Sequence, residues 1–337
     1  MKLGLWIFAA GAAFALAGCG SGDSGGGTTS TTAGTDSTTS ASKPSGDLPL
    51  VAFAQANSAD PWRQQFDAEV KAEAAKFKNE FTFEEQAAED DDQKMMNIIQ
   101  TFQVKQPKVL LISPTTIAVQ SAVDKVFDAG IPVVDMDRGL PGDKWTVYIG
   151  GDNMEMGREA GKYIAQRLNG KGTVLMIQGL TGVTATDDRR NGALETLKGF
   201  PGIKVILGDD CKFKRENAQN YMQSFLQKGQ PVDVVYAHND EMMIGAYQAY
   251  AAAPNKPKVK PIFVGMDGCQ KEVIDMIKDG KLDATFRYPD PGPTGVDVAE
   301  KLLKGEKPKD RKIILPTVLV TKDNADKYLS DNPNLAR

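Results

Sequence analysis

Short apolar segments alternate with amphipathic helical patterns along most of the chain. The segments are rich in Val and Ile and apolar on both faces, which is typical of parallel strands covered by helices on both sides. They occupy residues 50–54, 109–112, 131–135, 173–177, 204–207, 232–236 and 261–265.

Patterns with the helical period fill the intervals between these segments. The alternation of strand and helix predicts βαβ crossovers, and therefore doubly wound parallel sheets. Roughly ten to twelve such strands exceed one sheet of ordinary size, so the sequence predicts an α/β protein with two similar lobes. The helical patterns cover residues 62–77, 93–103, 117–129, 156–168, 189–198, 218–228, 240–252 and 270–278.

The first residues of the chain have a different character. Lys2 precedes an apolar run over residues 3–16, which is too short for a permanent membrane span and suits the core of a signal peptide. The run ends in Leu16-Ala17-Gly18-Cys19, which resembles the bacterial lipobox. We therefore expect residues 1–18 to be a lipoprotein signal peptide, and Cys19 to be lipidated and to anchor the protein to the membrane outside the cytoplasm.

Small polar residues dominate the segment that follows Cys19. Such a composition cannot bury enough apolar surface to offset the entropy of ordering, so residues 19–47 are predicted to form the lipidated cysteine and a flexible tether. Roughly 290 residues remain, a length that suits two domains better than one.

Charge and cysteine content narrow the function classes. The net charge is −4 and the isoelectric point about 5.3, with no basic stripe that would indicate nucleic-acid binding. Cys211 and Cys269 are the two cysteines after Cys19. In an oxidising compartment they either form a disulfide or remain as two buried thiols, and the sequence leaves both alternatives open.

Polar and aromatic residues follow the predicted strands. In open α/β sheets the ligand site lies at the carboxyl ends of the strands, although loops there are also polar simply because they are solvated. Charged residues of both signs recur at these ends in both lobes, together with Trp62, Phe213 and Tyr288. The segments concerned are residues 55–63, 113–116, 137–138, 179–186, 211–213, 238–240, 267–268 and 287–290.

The side chains at these strand ends suit a monosaccharide. A sugar ring needs carboxylates as acceptors, Arg and Asn as donors, and an aromatic face against its C–H bonds. These side chains do not suit a fatty ligand, and they lack the excess of positive charge that a site for a polyanion needs. They belong to Asp60, Trp62, Arg63, Asp137, Arg138, Phe213, Asn239, Asp267 and Arg287.

Four motifs resemble the ribose/galactose class of periplasmic sugar-binding proteins, over residues 50–329. The galactofuranose-binding branch similarly places Trp and Arg early in the first helix. The motifs are Val134-Asp135-Met136-Asp137-Arg138, Tyr236-Ala237-His238-Asn239-Asp240-Glu241-Met242, Val264-Gly265-Met266-Asp267-Gly268 and Leu303-Lys304-Gly305-Glu306-Lys307.

The resemblance implies the type I periplasmic binding protein fold. Two doubly wound parallel-sheet lobes would be joined by a three-stranded hinge and would close on a sugar. The first lobe would comprise residues 48–151 plus 285–314, and the second residues 152–284 plus 315–337.

The resemblance also assigns roles to individual residues. Trp62 and Phe213 would sandwich the sugar ring, and Asp137 and Arg138 would hydrogen-bond its hydroxyls. The second lobe and the hinge side would contribute Asn239, Asp267 and Arg287.

Several positions depart from the ribose branch. Asp60 and Ser113 stand where that branch has Asn, and Arg63 replaces an aromatic residue. Asp187 lies near the position of a ligand-contacting Arg, which argues against ribose itself. The neighbouring Arg189 is expected to support the site from behind.

The implied function is capture of a monosaccharide for the permease of an ABC importer. We expect the protein to act as a monomer, with no cofactor and no metal. A sensor that presents its ligand to a membrane receptor would use the same site, so the sequence leaves uptake and sensing open. The leader argues against the cytoplasmic repressors of this fold.

An exported glycosidase using Asp137 and Asp267 is the rival enzyme hypothesis. Arg138 beside Asp137 argues against it, because a neighbouring cation keeps a carboxylate ionised. The chain has a single histidine, His238, which gives little support to triad or zinc chemistry.

Overall fold

The computed structural model describes residues 48–254 and 256–336. The predicted signal peptide at residues 1–18, the predicted lipidation of Cys19 and the predicted tether up to residue 47 therefore lie outside the described residues. Within the described part, none of the helices has the length and apolar character needed to cross a membrane.

Twelve strands form two six-stranded sheets among the described residues. In chain order they are β1 (Leu50–Gln55), β2 (Thr82–Ala87), β3 (Val109–Ile112), β4 (Val133–Met136), β5 (Val147–Gly151), β6 (Lys171–Gln178), β7 (Gly202–Asp210), β8 (Val234–Ala237), β9 (Ile262–Asp267), β10 (Ala284–Arg287), β11 (Lys312–Leu315) and β12 (Val318–Thr321).

Ten α-helices connect these strands in the described part of the chain, and a short 3-10 helix (Ile117–Val119) directly precedes the third. They are α1 (Pro61–Lys76), α2 (Asp92–Lys105), α3 (Gln120–Asp128), α4 (Asn153–Arg167), α5 (Thr184–Leu197), α6 (Arg215–Gln227), α7 (Asp240–Ala252), α8 (Lys271–Lys278), α9 (Gly292–Leu303) and α10 (Ala325–Asp331).

The two sheets have the same strand order and differ in the direction of the last strand. The first has the order β2-β1-β3-β4-β5-β11 and the second β7-β6-β8-β9-β10-β12. All pairs are parallel except β10 with β12. This is the doubly wound order in which ligands bind at the strand carboxyl ends, where the order reverses. The predicted α/β class with two parallel-sheet lobes is confirmed.

The chain passes between the sheets three times. It leaves the first sheet after β5, returns to the first lobe after β10, and crosses from β11 to β12 near its end. Helix α9 packs on α1, β3 and β4 of the first lobe. Because β10 pairs with β9 in the second sheet, residues 285–287 belong to the second lobe and not, as expected, to the first.

Burial of the sheets explains why these strands form where they do. The four residues of β3, of β4 and of β8 are all buried, as expected for central parallel strands. One hydrophobic cluster contains residues of both sheets, including Val134 and Val264. The lobes therefore share part of a continuous core.

Helix α5 packs very closely on α4 because glycines face each other. A Cβ on Gly157 would lie 2.5 Å from the carbonyl oxygen of Arg189, and one on Gly192 would lie 2.2 Å from that of Met154. This close contact fixes the position of α5, which carries Arg189.

The two cysteines are free, and both are buried. Of the two alternatives that the sequence left open, the structure therefore contains the pair of thiols. Burial raises the pKa of Cys211 to about 12, and it raises the pKa of Cys269 well above its usual value.

Candidate ligand-binding site

A cavity lies between the lobes at the carboxyl ends of the strands. It contains about 400 Å³ of space free of protein atoms, part of which is open to solvent. Residues of both lobes form its wall: Asp60, Trp62, Arg63, Asp137, Arg138, Val183, Ala185, Arg189, Phe213, Asn239, Asp267 and Tyr288.

The first-lobe wall is organised around Arg63. Its Nη1 donates to Gln55 Oε1 at 3.1 Å and to Ser113 Oγ at 2.8 Å, and its Nη2 donates to Asp137 Oδ2 at 2.5 Å. Ser113 Oγ also donates to Asp137 Oδ2 at 3.2 Å. Burial lowers the pKa of Arg63, but the nearby carboxylates led by Asp137 outweigh it, and the pKa is raised. These four side chains form one bonded network.

The start of helix α1 positions the next part of this wall. Asp60 is the N-cap and its Oδ1 accepts from the backbone N–H of Arg63 at 2.9 Å, while Pro61 occupies the first helical position. Trp62 follows at once and contacts Tyr288, with ring centroids 5.5 Å apart. Burial raises the pKa of Asp60, and the charge of Arg63 opposes that change.

Asp137 adopts a left-handed backbone conformation with φ of 68°. This costs a non-glycine residue roughly 1 kcal/mol, so the surroundings must hold it in place. Its N–H donates to the carbonyl of Ile149 at 3.0 Å, and its own carbonyl accepts from the hydroxyls of Tyr148 at 2.9 Å and Tyr288 at 3.0 Å. The strained turn after β4 is therefore fixed by three hydrogen bonds.

Arg138 spans from the first wall toward the second lobe. Its Nη1 donates to Asp90 Oδ1 at 3.1 Å and to the Thr115 carbonyl at 2.7 Å. Its guanidinium lies 5.9 Å from the ring centroid of Phe213, within the range of a cation–π contact. Burial, together with the charge of Arg63, lowers the pKa of Arg138.

Phe213 and Asn239 form one side of the second-lobe wall. Asn239 caps α7 by accepting from Met242 N at 2.9 Å, and its Nδ2 donates to the Phe213 carbonyl at 3.1 Å. Phe213 is left-handed, with φ of 59°. Its ring lies directly against Gly179, where a Cβ would be 2.2 Å from the ring. Glycine at residue 179 is therefore required for this ring position.

Arg189 and Asp267 form the other side of the second-lobe wall. Arg189 donates to Asn153 Oδ1 at 2.9 Å and to the His238 carbonyl at 2.5 Å, and its guanidinium lies 5.0 Å from the ring centroid of Tyr288. Its Nη1 is 3.8 Å from Asp267 Oδ1. Burial raises the pKa of Asp267 well above its usual value despite the charge of Arg189.

Two hydrogen bonds join the lobes at the rim of the cavity. Ile117 N donates to the Gly182 carbonyl at 2.9 Å, and Thr184 Oγ1 donates to the Gly139 carbonyl at 3.2 Å. Ile117 and Gly139 belong to the first lobe and the other two residues to the second. The lobes are in the closed arrangement.

Most of the residues expected from sequence come together in this cavity. Ser113 lies behind the wall, bonded to Arg63 and Asp137. Asp187 and Arg287 do not line the cavity. The lining residues among those expected are Asp60, Trp62, Arg63, Asp137, Arg138, Phe213, Asn239 and Asp267.

The two outliers have local explanations. The side chain of Asp187 is 53% exposed and pairs with Arg190 at 2.7 Å on the outside of α5. The side chain of Arg287 is half-buried, and its Nη1 has no hydrogen-bond partner in the described part of the chain.

Arg189 and Tyr288 contribute more than the sequence suggested. Arg189 was expected behind the site and instead lines the cavity, because α5 begins at Thr184 rather than at residue 189. Tyr288 belongs to the aromatic set at the strand ends but had no assigned role. Val183 and Ala185 are also in the wall, but their small apolar side chains do not indicate a binding role in the sequence.

Residues 51–307 match the periplasmic binding protein domain family. This chain belongs to that family. The match covers both lobes of the described structure, so the resemblance expected from the four motifs is confirmed.

Similar members of the periplasmic binding protein family include the ribose import binding protein of Salmonella typhimurium, which is 34% identical over 68% of this chain and 78% of its own length. The galactofuranose-binding protein of Escherichia coli is 28% identical over 85% of this chain and 92% of its own. Among solved structures, the fructose-binding periplasmic domain of a hybrid two-component system is 34% identical with a TM-score of 0.80, covering 85% of this chain and 94% of that one.

Proposed function

We propose that this protein is an extracytoplasmic solute-binding lipoprotein. It captures a monosaccharide, a pentose or a hexose that includes furanose forms, between its two lobes and delivers it to the permease of an ABC importer. The observation that carries the proposal is the cavity enclosed by both lobes, whose wall combines carboxylates, guanidinium groups and aromatic rings.

The chemistry of the wall supports a sugar. Trp62, Phe213 and Tyr288 supply apolar faces, while Asn239 and the charged residues supply donors and acceptors. The names of the relatives agree, because they refer to ribose, galactofuranose and fructose.

Binding without turnover is supported by the hydrogen bonds of Asp137. Arg63 and Ser113 both donate to the same oxygen of Asp137, so this carboxyl group is held in place rather than free to attack or to activate water. Burial holds the pKa of His238 well below its usual value, which leaves a neutral ring. A glycosidase pair needs one carboxyl that is free to transfer a proton while its partner attacks or activates water.

A sensor function is the second candidate. The specific observation in its favour is the likeness to the periplasmic domain of a hybrid two-component system, which covers most of both chains. Copurification of the sugar-loaded protein with a permease, compared with a receptor kinase, separates the two functions.

Ligand binding tests the proposal directly. Purified protein from residue 48 onward is screened by thermal unfolding against common aldoses, ketoses and polyols. A ligand at about 100 times its Kd raises the free energy of unfolding by about 2.7 kcal/mol. The sugar should be recovered unchanged after long incubation. A panel in which no compound raises the melting temperature overturns the proposal.

The anchor needs a separate experiment on the full chain. Wild-type protein should partition into the detergent phase, and Cys19→Ser should remain unprocessed or appear in the aqueous phase. The sugar affinity of the leaderless protein should not depend on Cys19. Recovery of the wild type in the aqueous phase, with its N-terminus elsewhere than Cys19, contradicts the anchored form.

A further inference from the structure

Carboxyl groups lie both in the wall of the cavity and directly behind it. Two carboxyl groups lie directly behind the wall: Asp90 accepts from Arg138, and Asp240 accepts from the N–H of Gly268, next to Asp267. The wall itself has three carboxyl groups and three guanidinium groups. They belong to Asp60, Asp137 and Asp267, and to Arg63, Arg138 and Arg189.

The guanidinium groups are already bonded to acceptors of the protein. Each arginine of the wall donates to at least two protein oxygens, and the charges of Arg63 and Arg138 are each paired with one carboxylate before any ligand enters. The acceptors are Gln55, Ser113 and Asp137 for Arg63, Asp90 and the Thr115 carbonyl for Arg138, and Asn153 and the His238 carbonyl for Arg189.

Asp60 and Asp267 are in the opposite situation. Among the described residues, the side chain of Asp60 has one hydrogen bond, accepted from the backbone of Arg63. The nearest cation to Asp267 is Arg189 at 3.8 Å, which is beyond hydrogen-bond length. One carboxylate comes from each lobe and both line the cavity. Burial raises the pKa of both, and Asp60 contributes to the change at Asp267.

A ligand that enters this cavity can supply donors to two carboxyl groups, the partly buried Asp60 and the buried Asp267. A hydroxyl offers one donor and no charge, whereas a protonated amine offers three donors and a positive charge. The aromatic rings of Trp62 and Phe213 in the same wall also favour a cation. A carboxylate on the ligand would instead add to the repulsion.

We propose that the ligand is an amine-bearing monosaccharide or cyclic polyol, whose protonated amine binds to Asp60 of the first lobe and Asp267 of the second. This inference rests on the proposed function and narrows its ligand class. It makes Asp60, which caps α1, the residue that selects the charge of the ligand.

Matched ligand triplets test this proposal by calorimetry. Each triplet contains a neutral hexose, its amino-deoxy analogue and its uronic acid, and one further set compares an aminated cyclitol with the neutral parent. At pH 7 the amine should bind roughly tenfold more tightly than its neutral parent in at least one set, and the acid most weakly. Raising the pH above the pKa of the amine should remove the advantage.

The outcomes separate this inference from the proposed function. If the neutral compound binds at least as tightly as its amine in every set, the inference is overturned and the proposed function stands. If no member of any set binds, both are overturned.

Asp60→Asn provides the matched variant. Asn is as good an N-cap as Asp, so α1 should keep its start while the charge is removed. The affinity ratio of amine to neutral parent should fall roughly tenfold relative to wild type. Asp91→Asn is the control, because Asp91 caps α2 in the same way, accepting from Lys94 N at 2.8 Å, but lies outside the cavity wall. An unchanged ratio in Asp60→Asn contradicts the assignment.

Discussion

The two walls of the cavity differ in how completely they are bonded without ligand. In the first lobe, Arg63 joins Gln55, Ser113 and Asp137 into a closed network. In the second lobe, the nearest cation to Asp267 among the described residues is Arg189 at 3.8 Å. Asp137 of the first wall is therefore fixed before a ligand arrives, whereas Asp267 of the second wall needs ligand donors. Stability and recognition should accordingly depend on different walls.

Breaking the first wall should give the largest effect. Arg63→Met keeps similar volume but leaves Asp137 as a buried carboxylate without its cation, so the free energy of unfolding should fall by about 3–5 kcal/mol. Urea unfolding of the leaderless protein measures it. The double variant with Asp137→Asn should recover part of the loss. Arg158→Met, which breaks exposed pairs with Glu155 and Glu195, should change stability by less than about 1 kcal/mol.

The matching change in the second wall should separate binding from stability. Asp267→Asn replaces a carboxyl group whose charged form is disfavoured by burial, so the free energy of unfolding should not decrease. Binding of the captured sugar should weaken by about 2–3 kcal/mol because charged hydrogen bonds to the ligand are lost. Calorimetry and urea unfolding on the same sample check both parts. A variant that unfolds more easily than wild type would show that the second wall is also structural.

Acidic groups behind each wall make stability depend on pH. Burial raises the pKa of Asp135, behind the first wall, and of Asp240, behind the second, to about 7. The folded protein binds these protons more tightly than the unfolded chain, because the folded pKa exceeds the usual 3.8. The stability that each protonated carboxyl group contributes is therefore fully present below about pH 4 and is lost as the pH rises through 7.

Replacing either carboxyl should flatten this dependence. Asp135→Asn and Asp240→Asn should each reduce the stability lost between pH 5 and pH 8, by an amount on the order of 2 kcal/mol. Denaturant unfolding at intervals across this range gives the slope for each variant. A slope equal to that of wild type in both variants means that neither group titrates there.

The rim contact between the walls should have the smallest effect. Thr184→Val removes the hydrogen bond to the Gly139 carbonyl, worth about 1 kcal/mol, and should weaken sugar affinity about fivefold. Small-angle scattering without ligand should show a larger radius of gyration as the closed form becomes less populated. Thr101→Val is the control, since its hydroxyl bonds only within α2, to the Asn97 carbonyl. If Thr184→Val and Thr101→Val have equal sugar affinities and equal radii of gyration, the rim contact does not stabilise the closed form.

The interior of the fold could be predicted from the sequence better than its edges. All seven apolar segments are strands, and six of them lie inside a sheet, where parallel strands are buried on both faces, while β7 lies at an edge. The five strands outside these segments are β2, β5, β10, β11 and β12. The first reads Thr-Phe-Glu-Glu-Gln-Ala and lies at a sheet edge with partly exposed residues, so it lacks a continuous apolar pattern. Edge strands are specified by their neighbours more than by their own composition.

The candidate site shows the same division. Residues directly after predicted strands, such as Asp137 and Asn239, could be placed because parallel strands bring their carboxyl ends together. Asp187 and Arg189 could not, since their placement depends on where α5 begins and which of its faces meets α4. Tight helix contact through Gly157 and Gly192 decides that, and no local pattern reveals it.

The late position of β11 has a consequence for biosynthesis. This strand completes the first sheet by pairing with β5, yet the central strands of the second sheet all precede it in the chain. Domains generally fold in order as they leave the ribosome, but here the first lobe lacks an edge until synthesis is almost finished. The growing chain therefore stays without a finished first domain for most of its translation, which would keep it unfolded for the export proposed above.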